Sequence, residues 1–468
     1  MDFRRVLPWS VAALFAPLYA AVSLTRHARL ESSGFDLGIF EEAVRAYSRL
    51  EAPVVALKGA GFNLLGDHFS PVLAVLAPFY RLWPGAGTLL VAQALLVALS
   101  AVPVTAYAVR VRVLGPAGGA VAGVAYGLSA GLQSAVAFDF HEVAFAVPLA
   151  AAAVVALARE RYGPAVAWAL PLLLVKEDQA LLVAAVGGYV WWRGRRRLGA
   201  ATVLAAVAAG LLVTLVVIPG VNPGGEYTYA HMGEPGGGNP VVRLLFPEVK
   251  ALTVLLLLAP TLLALRSPLV LLPGVLLAAR FWVVNPAFWR TGQHYDAVLM
   301  PLLFTAGLHG AGLLRGARLR LRPGRGLPVA AGMLAVTVAL TATGPVAGVL
   351  SGEAWRGDGR AAQVRRVLAV VPDGARVAAA NHLAPQLTGR CTVSLFPYLT
   401  PPDGPGGAGG PGGWGRPVAE WVAVLDELDD FPVPEEEQRR FLAGLVDGGG
   451  YRRVAAGAGV VVYHWQRG

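Results

Sequence analysis

Residues 162–192 read YGPAVAWALPLLLVKEDQALLVAAVGGYVWW, two apolar arms on either side of the charged tip Lys176-Glu177-Asp178. Basic loops stand at both ends, at 159–161 and 193–197. Since arginine-rich loops stay on the cytoplasmic side of a membrane, both ends lie on one face and the chain must turn back at the tip. Each arm reaches about 20 Å at 1.5 Å per residue, less than the roughly 30 Å hydrocarbon core, so the tip is predicted to lie in a water-filled recess.

The composition of the whole chain supports a membrane protein. Of its 468 residues, 56% are hydrophobic and 15% are charged, and the mean hydropathy is +0.57, which is too apolar for an ordinary soluble protein. The net charge of +10 comes from arginines in short loops between apolar runs, so it indicates membrane topology and argues against nucleic-acid binding. Cys391 is the only cysteine, which excludes an intramolecular disulfide and a cysteine metal cage.

Apolar runs of spanning length recur along the first 350 residues, and we predict an α-helical polytopic membrane protein with eleven crossings. The first run follows Arg4 and Arg5 and lacks a small-residue cleavage site, so it is predicted to be a retained span. The short apolar segment 71–83 is interpreted as an interfacial or re-entrant helix of the long first loop, 25–86. The predicted crossings are 7–24, 88–109, 114–134, 142–158, 163–175, 179–192, 198–219, 250–265, 267–284, 297–314 and 327–350.

With the N-terminus in the cytoplasm, every basic loop, including 315–325, falls on the cytoplasmic side. Six polar clusters, the glycine-rich loop 233–239 and the C-terminal tail then share the extracytoplasmic face. Because charged groups near a membrane must meet water, a partner or a substrate, the clusters are predicted to line one polar cavity. They are FDLGIFEE (35–42), GDHFS (66–70), FDFHE (138–142), KED (176–178), NPGGEY (222–227) and QHYD (293–296).

Hydrophobicity drops after Leu350, and residues 351–468 are predicted to form a small extracytoplasmic α/β domain, separate from the membrane domain 1–350. Helices are expected at 382–387 and 434–446, and the Gly/Pro-rich loop 401–415 is not assigned a fixed structure. We find no catalytic motif in this tail. Alternating patterns predict strands at 375–380, 391–396, 421–425, 451–455 and 459–465.

Asp36 opens a predicted helix, 33–46, in the first loop. Held at the membrane surface, its carboxylate suits a general base toward a hydroxyl or a ligand of a divalent metal. The alternative is structural, because Ser33 to Asp36 fits the S-x-x-D capping pattern, in which Asp36 only satisfies backbone donors. Glu41 and Glu42 are interpreted as a solvated helix face.

The next two clusters combine acids with histidine. Asp67 and His68 suit a metal site or a proton-transfer pair, against the alternative of a polar helix start before Pro71. Three ionisable groups stand between two predicted spans with almost no loop, more than solubility requires, and they are interpreted as functional. These three are Asp139, His141 and Glu142.

The remaining clusters differ in how strongly they indicate a functional role. The Lys176-Glu177-Asp178 tip is the most specific signal, because burying three charges for structure alone would be costly; a helix-turn salt bridge is the alternative. Glu226 follows a flexible Asn-Pro-Gly-Gly turn and is weak by itself. Arg290 departs from the positive-inside trend and is a candidate phosphate contact. For His294, Tyr295 and Asp296, substrate binding competes with aromatic anchoring at the interface.

This ordered set of motifs resembles the domain of unknown function 2079 family of prokaryotic membrane proteins, from GFDLGIFEEAV through LLGDHFSPVLAVLAPFYRLWP, FDFHE, LLLVKEDQALLV and IPGVNPGGEY to QHYDA. The resemblance covers roughly residues 30–310. The family brings no established activity, but its layout is similar to GT-C glycosyltransferases, integral-membrane enzymes that take sugars from polyprenyl-phosphate carriers at the extracytoplasmic face.

That likeness implies an acidic catalytic base in the first extracytoplasmic loop, and Asp36 stands at this position. It further implies secondary acids or metal ligands, and cations that neutralise the donor phosphate. No Asp-x-Asp or Glu-x-Asp pair stands in the first loop, so a divalent metal is left open. The secondary acids are Asp67, Asp139, Glu142, Glu177 and Asp178, and the cations are Lys176, Arg290 and His294.

The leading hypothesis is therefore a GT-C-like glycosyltransferase in the plasma membrane that moves a sugar from a polyprenyl-phosphate carrier to an extracytoplasmic acceptor. Its partners would be the lipid bilayer and the lipid-linked sugar, with Asp36, Asp139 and Glu177 as catalytic candidates. A transporter or flippase is one alternative, although the acids favour one face of the membrane over its midplane. A non-catalytic assembly protein of the cell envelope is another. The sequence leaves the sugar, the acceptor and the oligomeric state undetermined.

Overall fold

A computed structural model of the chain describes residues 3–230, 240–314, 326–357, 359–400, 418–448 and 450–466. Three predicted loops, 233–239, 315–325 and 401–415, lie outside the described residues. The described part is mostly helical, with one small sheet near the C-terminus. The fold class is confirmed to this extent.

Apolar helices recur where the sequence predicts them. Within the described residues, four helices are long and apolar enough to cross a bilayer: Arg4–Ala28, Ala86–Ala108, Arg196–Val221 and Glu248–Arg266. The count of eleven crossings stays a prediction, since the other apolar helices are shorter than a full span. These shorter helices are Pro71–Leu82, Glu142–Ala158, Tyr162–Leu174, Pro268–Trp282, Leu299–Leu313 and Leu327–Thr341.

Individual α-helices are often interrupted by a 3₁₀ or π turn. The predicted helix 33–46, for example, is a π-helical turn, Gly34–Gly38, followed by an α-helix. The α-helices are Phe3–Ala28, Ile39–Ser48, Ala77–Leu82, Ala86–Leu99, Ala101–Ala108, Gly115–Gly127, Ala130–Val136, Ala146–Ala158, Tyr162–Ala169, Ala180–Trp192, Arg196–Leu212, Ile218–Val221, Pro240–Leu245, Glu248–Leu258, Leu271–Trp282, Leu299–Leu313, Leu327–Thr341, Pro345–Leu350, Arg360–Leu368 and Glu435–Asp447.

Small residues allow the helices around Gly115–Gly127 to approach closely. A Cβ at Gly123 would lie 2.4 Å from Thr105 Oγ1, and one at Gly127 would lie 2.1 Å from the Phe15 ring. Glycines four residues apart lie on one face of a helix, so this face accepts two neighbouring helices at short range. Close packing of this kind replaces the hydrophobic effect as a source of helix association inside a membrane.

The chain turns back at the charged tip, as predicted. Lys176 is extended, with φ −163° and ψ 149°, and separates the helical segment that begins at Tyr162 from the helix Ala180–Trp192. The two helices contact each other, so the tip is the bend of a hairpin. At this bend Glu177 is buried, Lys176 is partly buried and Asp178 is exposed.

The tail contains the five strands that the alternating pattern predicts. They are β1 (Arg376–Ala379), β2 (Thr392–Leu395), β3 (Trp421–Leu425), β4 (Tyr451–Gly457) and β5 (Val460–Trp465), in the spatial order β2-β1-β3-β5-β4. β1 pairs in parallel with β2 and β3, while β5 is antiparallel to β3 and β4. The predicted helix 434–446 is present as Glu435–Asp447, whereas 382–387 contains only a 3₁₀ turn, Ala384–Gln386.

The sheet packs on the first loop, and one hydrophobic core runs through both. Leu57 of the loop and Val393 of β2 belong to this core. The helix Ile39–Ser48 lies at the contact. The division of the chain near residue 351 into two domains stays a prediction.

The interpretation of Glu41 and Glu42 as a solvated face is wrong. Both are buried at the contact between loop and tail. Glu41 accepts hydrogen bonds from the hydroxyls of Tyr80 and Thr388, and Glu42 accepts them from the backbone N–H groups of Leu57 and Val393. The amphipathic pattern cannot reveal this, because a buried acid with donors looks the same in sequence as a solvated one. Burial raises the pKa of each carboxyl to about 7.

These raised pKa values predict that the contact between loop and tail weakens as pH rises. A carboxyl whose pKa is higher in the folded state stabilises that state below its unfolded pKa, and this contribution is lost as pH passes through about 7. We expect the thermal unfolding midpoint to fall between about pH 5 and about pH 8, and less steeply in Glu41→Gln, because both partners of Glu41 are hydroxyls that can also accept. The exposed Glu353→Gln is the control, and an equal slope in both variants would contradict the account.

Candidate functional site

Asp36 lies on the π-helical turn Gly34–Gly38, and Ser33 connects it to Asp139. The Ser33 hydroxyl donates to its Oδ2 over 2.8 Å, and the Ser33 N–H donates to Asp139 Oδ2 over 2.7 Å. The helix start has no side-chain capping bond. The capping interpretation of Asp36 is therefore wrong, because the donor that a capping box would satisfy already binds Asp139.

His141 connects Asp36 to the FDFHE cluster. Its Nδ1 lies 3.1 Å from the Asp139 carbonyl oxygen, and its Nε2 lies 3.4 Å from Asp36 Oδ1. Because both ring nitrogens face oxygens that can accept, the doubly protonated imidazolium is favoured. Burial lowers the pKa of His141, but the hydrogen bond and charge of Asp36 outweigh it and raise the pKa above its usual value.

Asp36 stays both ionised and accessible. Burial would raise its pKa, but the hydrogen bond and charge of His141 and the bond from Ser33 hold the pKa below its usual value. A third of its side chain, 33%, remains exposed. The acids in the other ion pairs of this region are more deeply buried, with at most 9% of the side chain exposed.

Asp36, Asp139 and His141 form the first centre. The QHYD cluster contacts this centre through the ring of His294. His294 stacks on His141 with 3.8 Å between ring centroids and 21° between planes. Its Nδ1 is buried and has no hydrogen-bond partner in the part of the chain that the structure describes. Asp296 instead pairs with Arg280 over 2.6 Å and accepts the Gly292 N–H over 2.9 Å, so it holds the loop that carries His294.

A second centre forms around Glu177. Its Oε1 lies 2.7 Å from His68 Nδ1 and accepts the Tyr227 hydroxyl over 3.2 Å, while Oε2 accepts the Phe69 N–H over 3.0 Å. This carboxylate therefore joins three clusters: the tip, the first loop and the segment after Asn222. Burying it without such donors would carry a large desolvation cost.

Asp67 forms the outer part of the same centre. Lys58 Nζ lies 2.7 Å from its Oδ2, and the Tyr229 hydroxyl donates to Oδ1 over 3.1 Å. The Tyr229 ring also stacks on His68 at 4.5 Å. Asp67 is thus an ion-pair partner that fixes Lys58 and Tyr229 around His68.

A buried ion pair joins the two centres. Lys176 Nζ lies 3.0 Å from Glu142 Oε1, and the Glu142 side chain is 0% exposed. Neither carboxylate oxygen has a hydrogen-bond partner within the described residues, so the contact with Lys176 is an ion pair. Since Glu142 follows His141 and Lys176 precedes Glu177, this pair binds one centre to the other through the chain itself.

Some predicted residues remain outside these contacts. Glu226 and Arg290 are exposed, and Asp178 is exposed with a hydrogen bond to Gln179 at 3.0 Å. Tyr295 contacts Arg280, whose guanidinium lies 5.4 Å from its ring centroid. The structure therefore brings together members of all six clusters, but not every residue within each.

Sequence reasoning missed three participants: Lys58, Tyr229 and Arg280. Arg280 carried a signal, because it lies inside the predicted span 267–284, where an unpaired charge is costly. Tyr229 alternates with Tyr227 in the segment YTY. Lys58 carried none, since a lysine in a loop is usually a solvated surface residue.

Within the described residues, no group of three or more histidine, cysteine, aspartate or glutamate side chains is arranged to hold a metal ion. The central acids are instead paired with lysine, arginine, histidine or tyrosine. The prediction that a divalent metal binds here stays open.

The family described as "Predicted membrane protein (DUF2079)" matches residues 26–401. The chain belongs to this family. The match includes all six polar clusters and extends into the tail through β1 and β2. No curated protein matches the sequence.

Because the ion pair of Lys176 and Glu142 is buried, removing only one of its two charges is predicted to lower the free energy of unfolding strongly. Lys176→Met would leave Glu142 buried and unpaired, and we expect unfolding free energy to fall by about 3–5 kcal/mol in detergent denaturation. The double variant Lys176→Met/Glu142→Gln removes both charges and should recover most of that loss.

The matched control is Arg193→Met, which breaks a pair with Glu160 whose carboxylate side chain is 67% exposed. Such a pair contributes about 1 kcal/mol or less. Equal losses in Lys176→Met and Arg193→Met would contradict the proposed burial of the Glu142 pair.

Proposed function

We propose that this membrane protein is a GT-C-like glycosyltransferase that moves a sugar from a polyprenyl-phosphate carrier to an acceptor hydroxyl. The observation that carries the proposal is the state of Asp36: an ionised, one-third exposed carboxylate beside the buried imidazole of His141. A general base needs this combination of access and a partner that fixes its orientation.

In this mechanism Asp36 accepts the proton of the acceptor hydroxyl. The acceptor oxygen forms a bond to the anomeric carbon as the bond from that carbon to the phosphate oxygen breaks, and the polyprenyl phosphate leaves with the electron pair. Direct displacement inverts the configuration at the sugar carbon. Asp36 therefore ends the step protonated, and it returns the proton to water when product leaves.

His141 and Asp139 prepare Asp36 for this step. The imidazolium of His141 favours ionised Asp36, and the Asp139 carboxylate holds the Ser33 N–H one residue before the π-helical turn. Asp139 is thereby a positioning residue, and we assign it no proton transfer. These contacts keep Asp36 in the unprotonated form that can accept a proton, and they fix the position of its carboxylate.

Basic side chains at and beside the second centre would bind the donor phosphate. Lys176 and His68 are partly exposed and held by Glu142 and Glu177 respectively. Arg290 is exposed nearby in sequence to His294 and adds a planar, bidentate donor. Glu177 thus orients His68, and developing charge on the leaving phosphate is stabilised by groups already in place.

We further propose that the site and the tail lie on the extracytoplasmic side of the plasma membrane, with the N-terminus in the cytoplasm. Arginine-rich loops support that orientation. A lipid-linked donor would then enter sideways from the bilayer, while the acceptor would arrive from the aqueous side.

One observation favours a second candidate, a proton-coupled transporter. Glu142 is fully buried opposite Lys176, and neither of its carboxylate oxygens has a hydrogen-bond partner in the described chain. Buried acid–base pairs inside membrane proteins often mark proton pathways. Proton-dependent uptake into vesicles, with no carrier release, would favour this alternative.

Substituting the proposed base tests the transferase. In nanodiscs, Asp36→Asn should lower polyprenyl-phosphate release from a lipid-linked sugar by about 10²–10⁴-fold, because general-base catalysis supplies a factor of this size. Asn keeps the size of the side chain and an acceptor for Ser33, so donor binding should persist.

Asp178→Asn is the matched control, since Asp178 is an exposed acid whose described hydrogen bond is to Gln179 alone. It should retain carrier release within a few-fold. Unchanged release in Asp36→Asn, with equal protein levels, would remove Asp36 from the role of base.

A further inference from the structure

We infer that the tail is a working part of the site: Asn381, between β1 and the turn Ala384–Gln386, is a positioning residue that fixes the short helix carrying Asp36. The structural part of this inference stands on contacts alone. Its consequence for turnover rests on the transferase proposed above.

Asn381 holds the beginning of the Asp36 helix with two acceptors. The Gly34 N–H donates to the Asn381 carbonyl oxygen over 2.7 Å, and the Phe35 N–H donates to Asn381 Oδ1 over 2.8 Å. The first N–H groups of a helix have no partner within it, so a residue from outside can supply one. Here that residue lies almost 350 positions further along the chain.

Two glycines make this approach possible. A Cβ at Gly34 would lie 2.5 Å from Ala384 Cβ and 3.2 Å from the Asn381 carbonyl oxygen. One at Gly38 would lie 2.7 Å from Leu57 Cδ1 of the first loop and 3.2 Å from Thr388 Cγ2 of the tail. Gly34 therefore faces the tail, and a side chain there would force the two segments apart. Gly38 lies between the tail and Leu57 of the loop. The GFDLG sequence around Asp36 thus serves contact with the tail as well as chemistry.

We call the two hydrogen bonds from Gly34 and Phe35 to Asn381 the clamp. Further contacts hold the tail against the first loop near this clamp. His382 Nδ1 lies 3.2 Å from the Ser32 carbonyl oxygen, and Arg45 donates to the Thr388 carbonyl oxygen over 2.7 Å. The Phe35 ring meets Phe431 edge-on at 5.5 Å. The family match ends at residue 401, so it includes the segment that supplies Asn381, His382 and Thr388.

The clamp matters for Asp36 because its other partners depend on where the turn lies. Ser33 stands directly before Gly34, and His141 reaches Asp36 over 3.4 Å, a distance with little margin. Movement of the helix start by about 1 Å would break this contact, and misplacement of this size costs about 10²-fold in rate.

Hydrogen exchange tests the clamp without any activity assay. In full-length protein in nanodiscs, Asn381→Ala should speed exchange of the Phe35 amide about fivefold, as expected for one lost hydrogen bond. Asn381→Asp retains an acceptor and should restore slow exchange. Arg376→Ala, which breaks an exposed ion pair with Glu420 within the tail, should leave exchange unchanged.

Carrier release tests the consequence for the site. Asn381→Ala should reduce release, and the acid limb of its pH profile should move to higher pH, because Asp36 loses the His141 contact that lowers its pKa. A loss of folded protein alone would reduce release without moving that limb. Gly34→Ala is a second variant that should act in the same direction, with Gly332→Ala as its control, since a Cβ there meets nothing within 4 Å.

The outcomes separate the two proposals. Unchanged Phe35 exchange in Asn381→Ala overturns the clamp. Faster exchange with unchanged release overturns the positioning role and leaves the transferase intact. Absence of carrier release from the unsubstituted protein overturns the transferase, while faster exchange in Asn381→Ala would still establish the clamp.

Discussion

The buried ion pair of Lys176 and Glu142 is the interaction on which the site depends. An ammonium and a carboxylate cannot remain unpaired among apolar helices, so the hairpin tip and the FDFHE segment must meet. Their meeting draws His141 toward Asp36 on one side and Glu177 toward His68 on the other. Polar clusters far apart in sequence thus assemble because each would be costly alone.

The cost of burying polar groups without partners also explains why the tail packs against the first loop. Glu41 and Glu42 find donors on Thr388 and Val393, and the start of the Asp36 helix finds acceptors on Asn381. The first loop supplies the other donors to these acids, the Tyr80 hydroxyl to Glu41 and the Leu57 N–H to Glu42. A soluble-looking α/β unit therefore completes a membrane protein, and the continuous hydrophobic core between them follows from this pairing.

The hydrophobic periodicity of the sequence and the positions of its arginines predict much of this architecture. Apolar runs predicted the helices, alternation predicted all five strands, and arginines at both ends of 162–192 predicted the turn at Lys176. The pattern failed where burial depends on a distant partner. Glu41 and Glu42 read as solvent-facing because Thr388 and Val393 lie about 350 residues away.

Local patterns misled in a related way at Asp36. Ser33 and Asp36 match a capping box, yet Asp139 accepts the Ser33 N–H that Asp36 would accept in such a box. Asn381 accepts the next two N–H groups, those of Gly34 and Phe35. Lys58 and Tyr229 carried no motif, and Arg280 was recognisable only as a charge within an apolar run. The acids could therefore be named from the sequence. The partners that set their charge and orientation could be identified only in the folded structure.

Binding of lipid-linked sugars by the unsubstituted protein tests the central claim most directly. Purified protein in nanodiscs would be titrated with a panel of polyprenyl-phosphate sugars, with and without divalent metal, while release of the free carrier is followed. The account predicts saturable binding of at least one such donor and carrier release when a hydroxyl acceptor is present. Absence of binding by every donor in the panel would contradict it and would favour transport or an assembly role for the same paired acids.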